Sequence, residues 1–226
     1  MKTLVLAIAI GDYYQKMGEI THPLMRAYAE RVSADFMVIT EKKISQTSAH
    51  WEKFQIHDLL DTYDRILFLD TDIIVRGDCP NLFEAVPDDA FGAFDESRYY
   101  TDACERMELT AREYEMEVME AWDGRYFNTG VMVISRAHQK VFQKPPREFD
   151  NFYEQTYLNL VFVREGVRMF PLDFRFNRMH PMNAHTGEPR LSSYIVHYAG
   201  YTAEEPEMVF DYIREDIERW MKRGVL

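Results

Sequence analysis

Short apolar runs alternate with longer amphipathic stretches along this 226-residue chain. The apolar runs have the length of buried strands, and they span Leu4 to Ile10, Phe36 to Ile39, Ile66 to Leu69, Ala90 to Phe94, Val131 to Ile134 and Tyr194 to Val196. The amphipathic stretches predict helices, at Pro23 to Val32 with Thr21 as N-cap, Trp51 to Leu60, Thr110 to Trp122, Phe149 to Val163 and Pro206 to Arg223. Such alternation is typical of an α/β domain with a mostly parallel sheet, in which ligands bind beyond the carboxyl ends of the strands.

The charge balance argues against several classes of partner. Lysine and arginine number 26 against 38 acidic residues, which leaves a net charge of −12, so a nucleic acid or an anionic membrane would be repelled. No apolar run approaches the ~20 residues that span a bilayer, and the run from Thr3 to Ile10 lacks a signal-peptide cleavage site. Cys79 and Cys104 are too few for a disulfide framework. We therefore expect a reduced, cytoplasmic protein with no transmembrane segment and no nucleic-acid partner.

The strongest chemical signal comes directly after the apolar run Arg65 to Leu69, where the chain continues Asp70-Thr71-Asp72 before a second apolar run. Residues i and i+2 of an extended chain project to the same side, so the two carboxylates can converge on one cation. Hard oxygen ligands suit Mg²⁺ or Mn²⁺, which commonly bridge to substrate phosphates. Haloacid-dehalogenase-type phosphatases also carry an Asp-x-Asp pair, but theirs comes after the first strand, whereas two predicted strands precede this one.

Four segments occur in the order of a known family's motifs: Tyr63 to Val75 around the aspartates, Arg125 to Ile134 with Tyr-Phe-Asn-Thr-Gly-Val, Tyr153 to Asn159, and Val196 to Gly200 with His-Tyr-Ala-Gly. Together they resemble the glycosyltransferases of family 8, the group of glycogenin and the bacterial lipopolysaccharide galactosyltransferases. The resemblance covers residues 3 to about 200. It implies one Rossmann-like domain of the glycosyltransferase A type over residues 1–226, with a nucleotide-binding half at 1–100, a donor-sugar and acceptor half at 101–202, and a C-terminal amphipathic helix at 203–226.

The resemblance also implies roles for individual residues. The ligands of a divalent cation, Mn²⁺ or Mg²⁺, would be Asp70, Asp72 and His197. The catalytic group would consist of Gln155, Glu154 and Asp95. The donor would be bound by Ala7, Ile8, Ala9, Asp12, Tyr14, Lys53, Asp70, Thr71, Asp72, Asn128, Thr129, Gly130, His197 and Gly200.

These roles describe a metal-dependent glycosyltransferase. It would move a hexose from a nucleotide-diphosphate sugar, with UDP favoured, to a hydroxyl of a glycan, protein or lipid-linked acceptor. We expect Gly130 to let the donor sugar approach the backbone and Gln155 to lie below the anomeric carbon. The resemblance implies that the anomeric configuration is retained. Because Gln155 is an amide and not a nucleophilic carboxylate, we expect front-face attack. An inverting enzyme would instead need Asp95 or Glu154 as a base.

The chain departs from the family where the leaving group would be neutralised. The family's His-x-x-Gly motif continues to a lysine, and Ala203 stands at that position. The cations that could replace it are Arg175, Arg178 and His180. The missing lysine leaves open a nucleotide-sugar-binding protein with little transferase activity. A nucleotidyltransferase is disfavoured because Ile10 to Tyr14 do not form a Gly-rich basic loop.

Overall fold

A computed structural model describes residues 1–99, 101–149, 153–199 and 207–226. The strands are β1 (Thr3–Ile8), β2 (Asp35–Ile39), β3 (Arg65–Leu69), β4 (Ile73–Val75), β5 (Phe91–Asp95), β6 (Phe127–Ser135), β7 (Met169–Pro171), β8 (Arg178–Met179) and β9 (Ile195–His197). The α-helices are α1 (Asp12–Arg31), α2 (Ile56–Leu59), α3 (Leu82–Ala85), α4 (Ala103–Glu113), α5 (Tyr153–Arg164), α6 (Asn183–Thr186) and α7 (Met208–Lys222). The 3₁₀-helices are Ala49–Gln55, Met119–Ala121, Arg136–Phe142, Phe174–Phe176, His180–Met182 and Arg190–Ser192.

Two sheets meet at the segment 70–72. Over the described part of the chain, the larger sheet has six strands in the order β2-β1-β3-β6-β5-β7, and the smaller sheet has the order β4-β9-β8. β1 is parallel to β2 and β3, and β5 is parallel to β7, whereas β6 is antiparallel to β3 and β5. This single α/β domain with a mostly parallel mixed sheet confirms the predicted fold class. Because β3 lies in one sheet and β4 in the other, residues 70–72 join the two sheets.

Both faces of the larger sheet are buried. Along β1, Leu4 and Leu6 pack with Trp51 and with side chains of α5 on one face. Val5 and Ala7 pack on the other face with the buried side of α1. A strand covered on both sides must be apolar at every position, which explains why β1 and β3 appear in the sequence as continuous apolar runs. The carboxyl ends of these strands are consequently held by dense packing.

The first helix differs from the prediction at its N-terminus. α1 begins at Asp12, directly after Gly11, whose φ of 85° is a left-handed value that glycine adopts at little cost. Thr21 is not an N-cap, because it lies inside α1, and Pro23 also lies within the helix. The Thr-x-Pro pattern indicated a helix start, but the buried face of α1 already begins at Met17. Helix packing therefore overrode the local start signal.

The predicted helix from Thr110 to Trp122 is wrong after its first four residues. α4 ends at Glu113, and Glu115 adopts a φ of 55°. A left-handed residue of this kind cannot continue a right-handed helix. The chain then forms the 3₁₀-helix Met119–Ala121 before β6. The stretch predicted as one helix at Trp51 to Leu60 is also divided, into a 3₁₀-helix and then α2.

The C-terminal helix α7 packs against the domain, as its amphipathic spacing predicts. Val209, Ile213 and Trp220 are buried in a cluster with Val196 of β9. The indole Nε1 of Trp220 donates a hydrogen bond to the carbonyl oxygen of Leu191, at 3.0 Å. The apolar stripe of α7 therefore covers the smaller sheet. Among the residues that the structure describes, no helix has the length and hydropathy needed to cross a membrane.

Candidate active site

The Asp70–Asp72 segment is held by the backbone on both sides. The amide of Asp70 donates to the carbonyl oxygen of Gly130 at 2.8 Å, and the carbonyl oxygen of Asp72 accepts from the amide of Tyr198 at 2.9 Å. Asp70 thereby extends the pairing of β3 with β6, while Asp72 extends that of β4 with β9. Thr71 and Asp72 lie in a turn between β3 and β4, and the carboxylates of Asp70 and Asp72 come together with His197.

Thr71 faces away from the carboxylates. Its hydroxyl donates to the carbonyl oxygen of Ile8 at 2.6 Å, and its own carbonyl oxygen accepts from the hydroxyl of Thr21 at 2.7 Å. The hydrogen of Thr71 is therefore committed to Ile8, so Nε2 of His22, 3.3 Å from the Thr71 oxygen, is the donor of that contact. The side chain of Thr71, expected at the donor, instead anchors the segment to β1 and α1.

His197 completes a cluster of oxygen and nitrogen ligands. Its Nε2 lies 3.3 Å from Oδ1 of Asp72 and 3.7 Å from Oδ2 of Asp70, and one donor atom from each residue can be chosen so that all three lie within 4.8 Å of one another. Burial opposes a charged imidazole, yet Asp72 and Asp70 hold the pKa of His197 above its ordinary value. Two carboxylates and one imidazole nitrogen form a donor set that fits Mn²⁺ or Mg²⁺.

Gly130 makes room for the ring of His197. A Cβ atom added to Gly130 would lie 2.3 Å from Cε1 and 2.8 Å from Nδ1 of that imidazole. Both distances are below 3.0 Å, which real Cβ contacts essentially never show. The histidine ring occupies the space beside the Cα of Gly130, and the expected approach of the donor sugar to this backbone stays a prediction. Glycine is therefore required at this position for the three ligands to converge.

Lys53 and Glu154 form a buried ion pair beside Asp70. The ammonium Nζ of Lys53 lies 2.6 Å from Oε1 of Glu154, 3.0 Å from Oγ1 of Thr129 and 3.3 Å from Oδ1 of Asp70. Burial lowers the pKa of Lys53, but Asp70 and Glu154 outweigh it and hold that pKa above its ordinary value. Burial alone would raise the pKa of Glu154, but the positive charge of Lys53 outweighs burial and holds that pKa below its ordinary value. Both groups are therefore charged at neutral pH.

Gln155 is held by a polar network at the end of β6. Its Oε1 accepts from the amide of Thr129 at 3.1 Å, and its Nε2 donates to Oε1 of Glu96 at 2.7 Å. The side-chain Nδ2 of Asn128 donates to Oε2 of the same Glu96 at 3.1 Å. Glu96 is buried, and burial raises the pKa of its carboxyl to about 7, although the bonds from Gln155 and Asn128 oppose the shift.

Asp95 and the following residue, Glu96, have different partners. One oxygen of Asp95 accepts from the amides of Tyr126 and Ser97, at 3.2 and 3.1 Å, so this carboxylate closes a turn and takes no part in the network around Gln155. The pairing of β5 with β6 shifts register between Ala93 and Phe94. The irregularity lies in β6, where Thr129, Gly130 and Val131 stand between the partners of Ala93 and Phe94. The structure adds Glu96 to the residues around Gln155, and the role expected for Asp95 stays a prediction.

The first strand and its loop lie behind the carboxylates. The amide of Ala9 donates to the carbonyl oxygen of Ile39 at 2.8 Å, which extends the edge of β1 beyond Ile8. Asp12 is exposed at the start of α1 and is not one of the residues that converge with Asp70 and Asp72 in the described part of the chain. Tyr13, which the sequence did not select, is close enough to Asp72 that this carboxylate adds to the effect of burial in raising its pKa.

Three other residues expected at the donor lie apart from the carboxylate cluster or beyond the described ranges. Tyr14 is half-buried and its ring packs edge-on against Tyr13, with centroids 5.3 Å apart. Ala7 lies in the core of the larger sheet. Gly200 lies outside the described residues, as does Ala203 at the position of the family's lysine.

The cations considered as replacements for the missing lysine have other partners. Arg175 forms an ion pair with Asp173, at 2.8 Å. Arg178 is buried in β8 opposite Val196, and its guanidinium donates to the carbonyl oxygen of Glu188 at 2.9 Å. His180 is exposed. Neither arginine is therefore held at the carboxylate cluster, where Lys53 is the cation that the described residues place next to Asp70.

Several glycosyltransferases of known structure share the fold of this chain. A glycosyltransferase involved in glycosylation of the major capsid of PBCV-1 superposes with a TM-score of 0.62 at 16% identity, over 95% of this chain and 100% of that chain. An active-site mutant of the galactosyltransferase LgtC gives 0.55 at 15% identity, over 94% and 95%, and GlyE of Streptococcus pneumoniae TIGR4 gives 0.52 at 18% identity, over 100% and 64%. At these identities the likeness shows a shared fold. No curated protein matches the sequence.

The amino-acid sequence matches a family profile over most of its length. The profile of "Glycosyl transferase family 8" matches residues 29–203, which is most of the 226-residue chain. That range contains Lys53, the two aspartates, the network around Gln155 and the histidine of β9. The chain therefore belongs to glycosyl transferase family 8 and is a glycosyltransferase.

Proposed function

We propose that this enzyme transfers a hexose from a nucleotide-diphosphate sugar, with UDP as the nucleotide, to a hydroxyl of a glycan, protein or lipid-linked acceptor. The observation that carries the proposal is the convergence of Asp70, Asp72 and His197. Their oxygen and nitrogen donors suit Mn²⁺ or Mg²⁺ and would leave positions for phosphate oxygens. When bound, the ion would oppose the negative charge that grows on the departing diphosphate.

The residues around the cluster suit the binding of a sugar. Asn128 of β6 and Gln155 of α5 are hydrogen-bonded to each other and to backbone amides. Glu154 of α5 is held by the side chains of Lys53 and Thr129. Such a preorganised set of donors and acceptors can orient hydroxyls at little cost in ordering. Lys53 keeps its charge next to Asp70 and so reduces the repulsion between the carboxylates and an anionic donor.

Retention is proposed because the family resemblance implies it and because Glu154 and Asp95 both have other partners. Glu154 is buried in its ion pair with Lys53, and one carboxylate oxygen of Asp95 accepts two backbone amides. The inverting alternative needs one of these two as a base. Gln155 has a neutral amide, which is a poor nucleophile. We therefore propose front-face attack, in which the leaving phosphate accepts the proton of the acceptor hydroxyl.

Calorimetry tests the nucleotide and metal parts of the proposal. UDP is titrated into the metal-free protein, with and without Mn²⁺, and into Asp72→Ala. We expect binding that requires Mn²⁺ and disappears in Asp72→Ala, while the control Asp58→Ala, which removes an exposed acid on α2, binds as the wild type does. Binding of neither UDP nor another nucleoside diphosphate in the presence of Mn²⁺ would overturn the proposal.

The transfer itself is tested with a panel of UDP-sugars and simple glycoside acceptors. NMR of the earliest product should show the anomeric configuration of the donor. An inverted product would exclude front-face attack. Binding of the donor without transfer or hydrolysis would favour the nucleotide-sugar-binding protein.

We also propose that the enzyme works in the reducing cytoplasm. Cys79 is buried and Cys104 is exposed, and both are unpaired. Exposed thiols persist in reducing compartments. Cell fractionation with an antibody against the protein tests this, and recovery from an oxidising compartment would contradict it.

A further inference from the structure

Two backbone amides determine the direction of the hydrogen bonds behind the ligand cluster. A backbone N–H can only donate, so the atom of Asn128 that lies 2.9 Å from the amide of Gly130 must be its carbonyl oxygen Oδ1. The amide of Thr129 fixes Oε1 of Gln155 in the same way. The NH₂ group of Asn128 then faces acceptors on Glu96 and Gln155. The orientation of the Asn128 amide is therefore set by the main chain.

The same logic extends to Asn177, which is completely buried between Asn128 and His197. The side chain of Asn177 lies 2.9 Å from Oδ1 of Asn128, an acceptor, so it must present its NH₂ group there. Its own Oδ1 consequently faces Nδ1 of His197, at 2.8 Å. A carbonyl oxygen only accepts, and thus Nδ1 of His197 must carry a hydrogen. In the neutral ring Nε2 then has a free lone pair, and this atom faces Asp70 and Asp72.

We propose that Asn177 is a positioning residue, which holds His197 in the Nδ1–H tautomer and thereby presents Nε2 as a ligand to the divalent cation. The amide of Gly130 fixes the orientation of the Asn128 side chain, which in turn fixes the orientation of Asn177. Metal-binding histidines generally donate their second N–H to a protein acceptor, and loss of such an acceptor costs roughly 10–100-fold in metal affinity. The inference rests on the proposed metal site, because a tautomer matters to affinity only if an ion binds there.

The structure contains an internal reference with the opposite arrangement. Nδ1 of His138 accepts from the amide of Ser135 at 3.1 Å, so this histidine must carry its hydrogen on Nε2 when neutral. Burial lowers the pKa of His138 to about 4, which keeps it neutral at pH 7. A long-range ¹H–¹⁵N spectrum of the protein loaded with diamagnetic Zn²⁺ should show the Nδ1–H form for His197 and the Nε2–H form for His138.

Two substitutions separate positioning from simple structural support. Asn177→Leu removes the acceptor, and we expect Mn²⁺ affinity measured by calorimetry to fall roughly 10–100-fold. Asn177→Asp keeps an oxygen towards His197 but places a second oxygen against Oδ1 of Asn128. It should therefore lose stability while keeping Mn²⁺ affinity within about threefold of the wild type. Thr156→Val is the matched control. It removes a different buried polar group, a hydroxyl hydrogen-bonded to Tyr126 at 2.8 Å, and leaves Asn128, Asn177 and His197 unchanged.

The outcomes distinguish this inference from the metal site itself. Asp72→Ala is measured in parallel. If Asp72→Ala weakens Mn²⁺ binding and Asn177→Leu does not, the positioning role is wrong and the metal site stands. If neither variant changes Mn²⁺ affinity, both are wrong. A Mn²⁺ affinity that simply tracks melting temperature across Asn177→Leu, Asn177→Asp and Thr156→Val would also overturn the role, as would an Nε2–H tautomer at His197.

Discussion

Replacing Gly130 by alanine is expected to disrupt the ligand cluster while leaving the fold in place. The new Cβ would lie 2.3 Å from Cε1 of His197, whereas ordinary contacts begin near 3.4 Å. The ring must therefore move by about 1 Å. It is held at Nδ1 by a 2.8 Å hydrogen bond to Asn177, and a movement of that size takes the bond beyond hydrogen-bonding distance. The imidazole then no longer meets Asp70 and Asp72 in the geometry of the wild type.

The size of the effect combines overpacking with the lost ligand. Inserting a methyl group into a packed site costs about 1–3 kcal/mol, which corresponds to roughly 2–12 °C in melting temperature for a domain of this size. Loss of a residue that supports a metal ligand lowers metal affinity about 10–100-fold. Displacement of His197 itself should therefore weaken Mn²⁺ binding by at least about tenfold. Differential scanning calorimetry and titration of Mn²⁺ measure the two quantities separately.

A control and a double variant make this prediction refutable. Gly92→Ala is matched, because its Cβ would lie 2.7 Å from Cγ2 of Val86 in the core of the same sheet, and it should lower stability without changing Mn²⁺ affinity. With His197→Ala as background the ring is gone and the 3.0 Å contact with Oδ1 of Asn128 remains, so Gly130→Ala should cost less stability than it does in the wild type. Wild-type Mn²⁺ affinity in Gly130→Ala, or an undiminished stability loss in the double variant, would refute the reasoning.

The buried charges beside the cluster give three further predictions. Burial raises the pKa of Glu96 to about 7 from an ordinary 4.5. The folded state therefore binds this proton more tightly, and urea unfolding should show a stability that falls by up to roughly 3 kcal/mol between about pH 4.5 and 7, a fall that Glu96→Gln removes. Lys53→Met leaves Glu154 buried without its ammonium partner and should cost about 3–5 kcal/mol in the same assay. Lys53→Met with Glu154→Met should restore most of this stability, and an equal loss in the double variant would contradict the prediction. Asp95→Asn should keep the rate of donor transfer or hydrolysis within about threefold, because the amide oxygen still accepts from the backbone, whereas Glu96→Gln should lower that rate more; the reverse order would contradict the placement of Glu96.

The ligand carboxylates could be predicted from local geometry, whereas their neighbours could not. Residues i and i+2 of an extended chain share a side, which predicts that Asp70 and Asp72 converge; the structure brings them together across a turn between two strands. Glu96 gave no sequence signal, because its place beside Asn128 and Gln155 depends on contacts between segments that are distant in the chain. Asn177 gave no sequence signal, since its meaning depends on two partners that are distant in the chain.

Thr71, which lies between Asp70 and Asp72 and does not face His197, holds the two carboxylates in place. Asp70 continues a strand of the larger sheet and Asp72 begins a strand of the smaller one, so the distance between their carboxylates would change with any rotation of one sheet against the other. Thr71 opposes such rotation, because its side chain is tied to β1 and its carbonyl oxygen to Thr21 of α1. Helix α1, packed on both sheets through its buried face, thus acts on the ligands through a peptide group that points away from them. This explains why Thr21, in the interior of a helix, is completely buried although it has a polar side chain.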